Sequence, residues 1–126
     1  MTENDVQKFE KLKIQMEEIY KEISILSKKS PDSPINSFKL KFVNHLLKTA
    51  NELLVGHYKP FDDFDIFSDD ELPSNSDVVM ILSQYIECME KLKLKNVTIL
   101  SGEWFWLVDG KASKNKTTRP PETFKL

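Results

Sequence analysis

The sequence predicts a mainly α-helical protein: a three-helix, up-down-up bundle with a small C-terminal β-hairpin and a flexible basic tail. Apolar residues recur at helical spacing over three long segments. Only three glycines occur in 126 residues, which disfavours the tight turns that most all-β folds need. After residue 96 the apolar pattern changes to that of two short strands. We expect one helical domain with its hairpin over residues 1–110 and a polar basic tail over residues 111–126.

The first helix, from about Asn4 to Lys29, is predicted by a heptad seam. Its apolar residues are spaced alternately three and four positions apart, a pattern shared by helical bundles and coiled coils. The seam therefore packs either inside the bundle or against a second copy of the chain. For the second case, a homodimer, the candidate self-association residues are Phe9, Leu12, Met16, Ile19, Ile23 and Leu26.

The second helix is predicted to begin after Ser33, which is placed as its N-cap with Pro34 in the first helical position. It should continue to Val55, with Gly56 as its stop. Its apolar residues cover more than half of the circumference, which indicates a central helix with neighbours on more than one side. Three helices and a hairpin offer few partners for so wide an arc, and this favours a dimer.

The segment between the second and third helices alternates aromatic and acidic residues. In one interpretation the phenylalanines dock into a basic, hydrophobic groove of another protein while the acids speed the encounter. In the other they form a lid on the bundle while the carboxylates face water. The lid is favoured, because exposing three phenylalanines would leave a large apolar patch. The candidate docking residues are Phe61, Phe64, Asp65, Phe67, Asp69 and Asp70.

The third helix should begin near Ser74 or Ser76, with lysines in its last turns that complement the helix dipole. Residues 97–100 and 103–108 then read as the two strands of the hairpin. Trp104 and Trp106 share one face of the second strand, and tryptophan is enriched in binding hot spots. They form a candidate aromatic surface, although a strand that is apolar on both faces is more simply sandwiched between the helices and a partner or the tail.

Charge is distributed unevenly along the chain, whose net charge is −2. Residues 60–90 contain nine acids and no Lys or Arg, whereas residues 91–126 contain eight bases and three acids. A nucleic-acid binder is usually basic over its binding surface, so nucleic acid is not expected as a partner. A weak nucleic-acid accessory role for the basic tail stays open as an alternative.

No arrangement of residues indicates catalysis, a cofactor or a metal. Cys88 is flanked by Glu87 and Glu90 rather than by the positive charge that activates a thiol. The two histidines lack the Glu-x-x-His pattern of di-metal bundles. A calcium loop that began at Asp63 would have Phe67 where an oxygen ligand belongs and Ser68 in place of the glycine. A small metal-dependent protein or enzyme that uses the acidic 62–71 segment and His57 is kept as an alternative.

These observations favour a non-enzymatic protein-interaction or regulatory module that self-associates through its first helix. Its N-terminus is polar, and no apolar run approaches the ~20 residues that span a bilayer. We therefore expect a cytoplasmic protein without a membrane partner.

Overall fold

The computed structural model describes residues 1–120, in which three helices are followed by three strands. A single 3₁₀ turn, Gly56–Tyr58, lies between the second and third helices. The elements are α1 Glu3–Lys29, α2 Ser37–Leu53, α3 Asn75–Leu94, β1 Val97–Leu100, β2 Glu103–Val108 and β3 Lys111–Thr117. The predicted mainly helical fold with a small C-terminal hairpin is confirmed.

Side-chain caps determine where the helices begin. At α1 the Thr2 hydroxyl accepts from the Asp5 N–H at 3.1 Å, and the Thr2 N–H donates to the Asp5 carboxylate at 3.0 Å. At α2 the cap is Asn36, whose side chain accepts from two backbone N–H groups, rather than the predicted Ser33. The start is delayed because the Ile35 N–H donates to the Pro73 carbonyl at 2.8 Å, which holds this stretch extended. α2 also ends at Leu53, before the predicted Val55.

The helices do not follow the predicted up-down-up order. α1 runs antiparallel to both other helices, so α2 and α3 begin at the same end of the bundle and run in the same direction. Four contacts show this: Lys8 with Glu52 and Glu22 with Lys39 between α1 and α2, and Lys13 with Glu90 and Ser30 with Asn75 between α1 and α3.

The segment 55–74, which we call the strap, makes this order possible by running back along α2. The Asn51 side chain donates to the Asp65 carbonyl at 2.9 Å. Further along, the Asn44 amide both donates to the Phe67 carbonyl and accepts from its N–H, each at 3.0 Å. The strap ends where Ser74 forms a β-bridge with Pro34, beside the start of α2. The up-down-up prediction is wrong because it requires a short connection between α2 and α3, whereas the strap runs back along the length of α2.

The strands form one antiparallel sheet in the order β1-β2-β3. The prediction of a flexible tail is wrong for residues 111–117, which form β3. Residues 121–126 of that tail lie outside the described part of the chain. The Asp109-Gly110 turn, with both φ values positive, returns the chain into β3. β3 carries no apolar alternation, because its inward side chains are polar and hydrogen-bonded. The Ser113 hydroxyl, for example, donates to the Trp106 carbonyl at 2.7 Å.

Candidate interaction groove

An uncovered apolar surface follows a groove between α1 and α2. The groove has a volume of about 790 Å³, and its walls include Ile14, Glu18 and Ile25 from α1 and Phe42, His45 and Leu46 from α2. Both walls are helices whose backbone groups are hydrogen-bonded internally, so only their side chains are available to contact a partner.

Four large apolar side chains are exposed in or beside this groove, and we call them the apolar anchors: Ile14, Ile25 and Phe42 line it, and Phe38 contacts Phe42. Their exposed fractions are 64% for Ile14, 57% for Ile25, 65% for Phe38 and 51% for Phe42. Ile14 and Ile25 are eleven residues apart, about three helical turns, so they share one face of α1. Phe38 and Phe42 are one turn apart on α2, and their rings meet edge to face with centroids 5.0 Å apart. Neighbouring anchors of this kind form a patch rather than scattered single residues.

The packing of α2 explains why its anchors remain uncovered. A helix turns by about 100° per residue, so Asn44 points almost directly away from Phe42. The strap is bound to the Asn44 side of α2, and α1 covers an adjoining side. The wide apolar arc of α2 therefore has neighbours on more than one side, as its width predicted, while Phe38 and Phe42 stay more than half exposed.

The Asp, Glu, Lys and Arg side chains that line the groove all come from α1: Glu18, Lys21 and Glu22. The acids of α1 are already paired within the chain: Glu18 with Lys21 at 3.7 Å, and Glu22 with Lys39 at 3.0 Å. On α2, by contrast, Lys41 and Lys48 have no ion-pair partner within residues 1–120, and both are exposed. The single acid of α2, Glu52, is paired with Lys8 at 3.1 Å. Lys41 and Lys48 do not line the groove; they lie three and four residues from Asn44, on the stripe of α2 that binds the strap.

The predicted self-association seam lies inside the chain. Phe9, Leu12, Met16 and Ile23 are buried in the core, and Ile19 and Leu26 are half-buried against it. Ile19 also reaches the floor of the groove. The seam thus packs within the bundle, and it would meet a second copy only if the bundle opened.

The strap carries the candidate docking residues, and its phenylalanines lie on the core as the lid interpretation predicts. Phe61, Phe64 and Phe67 are half-buried and stacked in sequence, with ring centroids 6.1 Å and then 5.1 Å apart. The acids face water: Asp65 pairs with Lys59 at 2.6 Å, while Asp69 and Asp70 are exposed. Docking through this segment would require its aromatic rings to leave the core.

The candidate aromatic surface does not exist at Trp106, which is fully buried. Its ring meets Phe9 edge to face with centroids 5.1 Å apart, and its indole N–H donates to the Glu10 carboxylate. Trp104 lies on the same face of β2 but is half-buried. At Trp106 the favoured interpretation of a sandwiched strand therefore fits better than an aromatic surface, because the inward face of β2 closes one side of the bundle, where a large ring fills the core.

A buried polar cluster joins this tryptophan to α3 and β3. Lys93, one of the lysines predicted in the last turns of α3, is fully buried. It donates to the Thr118 hydroxyl at 2.8 Å and lies 5.9 Å from the centre of the Trp106 ring. Burial lowers the pKa of Lys93. The Glu10 carboxylate also accepts from the Thr117 hydroxyl at 2.9 Å. These contacts hold β3 onto the helices.

The remaining candidates for chemistry are dispersed. Burial raises the pKa of the Cys88 thiol, which disfavours the reactive thiolate. His45 lies at the groove, and His57 stacks on Tyr58 with ring centroids 4.2 Å apart. Among residues 1–120 no group of three or more His, Cys, Asp or Glu side chains is arranged to hold a metal ion.

The lysines of β3 have a structural explanation that competes with nucleic-acid binding. β3 is an edge strand, and exposed lysines on an edge strand prevent pairing with other chains. One of them, Lys116, is paired with Glu103 on the neighbouring strand at 2.8 Å.

Sequence reasoning missed the groove because Ile14 and Ile25 lie outside the heptad seam. Each of them follows a seam residue, Leu12 or Ile23, by two positions, and the two isoleucines are three helical turns apart. This spacing was the available signal. Within residues 1–120 no helix is both long and apolar enough to cross a membrane. Comparisons with protein-family models, curated proteins and solved structures give no match to this chain.

Proposed function

We propose that this protein is a non-enzymatic protein-interaction module and that the groove between α1 and α2 is its binding surface. The observation that carries the proposal is the set of apolar anchors, which are each more than half exposed and three of which line one concave surface. Exposed apolar patches rimmed by polar residues are typical of interaction sites. Two observations support the non-enzymatic part: within residues 1–120 no group of three or more His, Cys, Asp or Glu side chains is arranged to hold a metal ion, and burial raises the pKa of the Cys88 thiol.

A partner comparison in the native cell tests the proposal. The groove variant is Phe42→Ser, which removes one anchor from an exposed position and should leave the fold intact. The matched control is Met80→Ser, which removes a 55% exposed apolar residue from α3, away from the groove. Proteins that copurify with the wild type and with Met80→Ser should be lost with Phe42→Ser. Equal recovery by all three proteins, with circular dichroism showing each one folded, would contradict the proposal.

A further inference from the structure

We infer that the groove between α1 and α2 takes the α1 helix of a second copy of this chain, an inference that rests on the proposed function. The two α1 helices lie antiparallel across a two-fold axis, and each one enters the groove of the other copy. An interface of this kind joins the same surface of both copies, so that surface must be complementary to itself. The exposed face of α1 meets this requirement.

Four exposed side chains that line the groove form one row along α1, which we call the outer row: Ile14, Glu18, Lys21 and Ile25. Their spacing of four, three and four residues keeps them on one face of the helix. At about 100° per residue, this face lies roughly half a turn from the buried seam. The outer row is therefore the side of α1 that the bundle leaves in water.

The outer row is complementary to itself in an antiparallel pair. When two copies of α1 run in opposite directions about the middle of the row, Ile14 lies opposite Ile25 of the second copy. In the same register Glu18 lies opposite Lys21 of the second copy, and the two-fold axis repeats both pairs. An interface with a different protein does not require a row that matches its own reverse, so this pattern favours a second copy as the occupant.

The charges of the outer row are available for this contact. Glu18 and Lys21 lie 3.7 Å apart within one copy, and both side chains are 71% exposed. So exposed a pair contributes little to stability, and its members can turn to the second copy at little cost. Glu22, which also lines the groove, is paired with Lys39 at 3.0 Å. The outer row thus brings one acid and one base from each copy, and the contact is electrically balanced.

The residues beyond the outer row indicate that the two helices cross. One turn past the isoleucines, Lys11 lies opposite Lys28 of the second copy in the same register, and both side chains are exposed. Like charges in contact would weaken the dimer. Packed helices that cross at an angle are closest at the middle of their contact and diverge toward its ends. Crossing therefore keeps the outer row in contact and carries these lysines apart into water.

The groove also supplies apolar side chains for the inserted helix. Between its isoleucines the outer row is about 16 Å long at 1.5 Å per residue, and it forms a ridge on the convex surface of α1. Phe42 and Leu46 line the α2 wall that this ridge meets, and Phe38 packs on Phe42. The dimer would thereby cover apolar anchors that are each more than half exposed in a single copy.

Sedimentation equilibrium of the full chain over a wide range of concentration tests the inference. The wild type should be a dimer at high concentration and should dissociate on dilution. Ile25→Ser should raise the dissociation constant roughly thirtyfold or more, because each dimer loses two exposed isoleucines from its apolar pairs. The matched control is Met80→Ser, which removes an exposed apolar residue of α3 and should dimerise like the wild type.

Charge reversal tests the antiparallel register. Glu18→Lys leaves two lysines on the outer row and Lys21→Glu leaves two glutamates, so each variant turns two attractive pairs into repulsive ones. Each should dimerise roughly tenfold more weakly than the wild type. Mixing the two variants should restore association, because every lysine of one row then meets a glutamate of the other. Lys91→Glu, which changes an exposed lysine of α3, is the control and should leave the dimer unchanged. Circular dichroism establishes that each variant is folded.

The other outcomes separate this inference from the proposed function. A wild type that stays monomeric at the highest concentration overturns the inference, while the native-partner comparison with Phe42→Ser still decides whether the groove binds another protein. A dimer that Ile25→Ser does not weaken forms elsewhere on the chain, which also overturns the inference. A dimer that Ile25→Ser dissociates, but that both charge variants form as tightly as the wild type, contradicts the antiparallel register.

Discussion

Replacing Trp106 should reveal how strongly the sheet is bound to the helices. Trp106→Ala removes the largest fully buried side chain, and such changes in cores cost about 3–5 kcal/mol in the free energy of unfolding. Trp106→Phe keeps an aromatic ring near Phe9 but loses the indole donor to Glu10. A hydrogen bond to a charged group contributes about 1.5–3 kcal/mol, so we expect a loss of about 2–3 kcal/mol for this variant.

Trp104→Phe is the matched control, because Trp104 lies on the same strand face but is half-buried. It should cost less than about 1 kcal/mol. Urea unfolding followed by far-ultraviolet circular dichroism measures all three variants without depending on tryptophan emission, and unchanged m-values would show that the unfolded state is comparable. In thermal unfolding each kcal/mol corresponds to roughly 3–5 °C. A Trp106→Phe variant as stable as Trp104→Phe would refute the assigned role of the Trp106–Glu10 bond.

Three further predictions concern the strap, β3 and Lys93. Asn44→Ala should lower the free energy of unfolding by about 2–4 kcal/mol, because it removes two hydrogen bonds and leaves the Phe67 backbone unpaired. A protease should then cut this variant within the strap, and a variant that is uncut and as stable as the wild type would contradict the prediction. A chain ending at Gly110 should be far less stable than one ending at Pro120, because only the shorter chain lacks β3; equal melting temperatures would show that β3 is dispensable. The pKa of Lys93 is lowered below its ordinary 10.5, so the unfolded chain holds more protons between that lowered value and 10.5. Its stability relative to Lys93→Met should therefore rise between neutral pH and about pH 10, and denaturant titrations that show no such gain would oppose the assignment.

Periodicity predicted the parts of this fold that depend on local spacing. The α1 seam, the apolar stripe of α3 and the first two strands all formed, because each pattern is read within a few residues. Ser74 caps α3 as one of the two predicted starts. The predicted direction of α3 was wrong, because the direction depends on the path of the strap. That path is fixed by Asn44 and Asn51, two polar side chains whose strap partners are distant in sequence.

The strand β3 and the groove were missed for related reasons. β3 is stabilised by polar side chains that bond to β2 and α1, and polar alternation in a sequence resembles a loop. The groove depends on which sides of α2 remain without neighbours. Periodicity showed that the apolar arc of α2 is wide, but only the position of the strap determines that Phe38 and Phe42 are its uncovered part.

The α1 seam is partly buried by α3 and β2, which follow it in the sequence, and this order has a consequence during biosynthesis. Synthesis proceeds from the N-terminus, so α1 is translated before the elements that cover it. Trp106, which packs on Phe9, is translated much later, so this part of the amphipathic face of α1 stays exposed to solvent until β2 has been synthesised. Contact between the first helices of neighbouring nascent chains is then possible for a limited time, and it ends when α3 and β2 arrive.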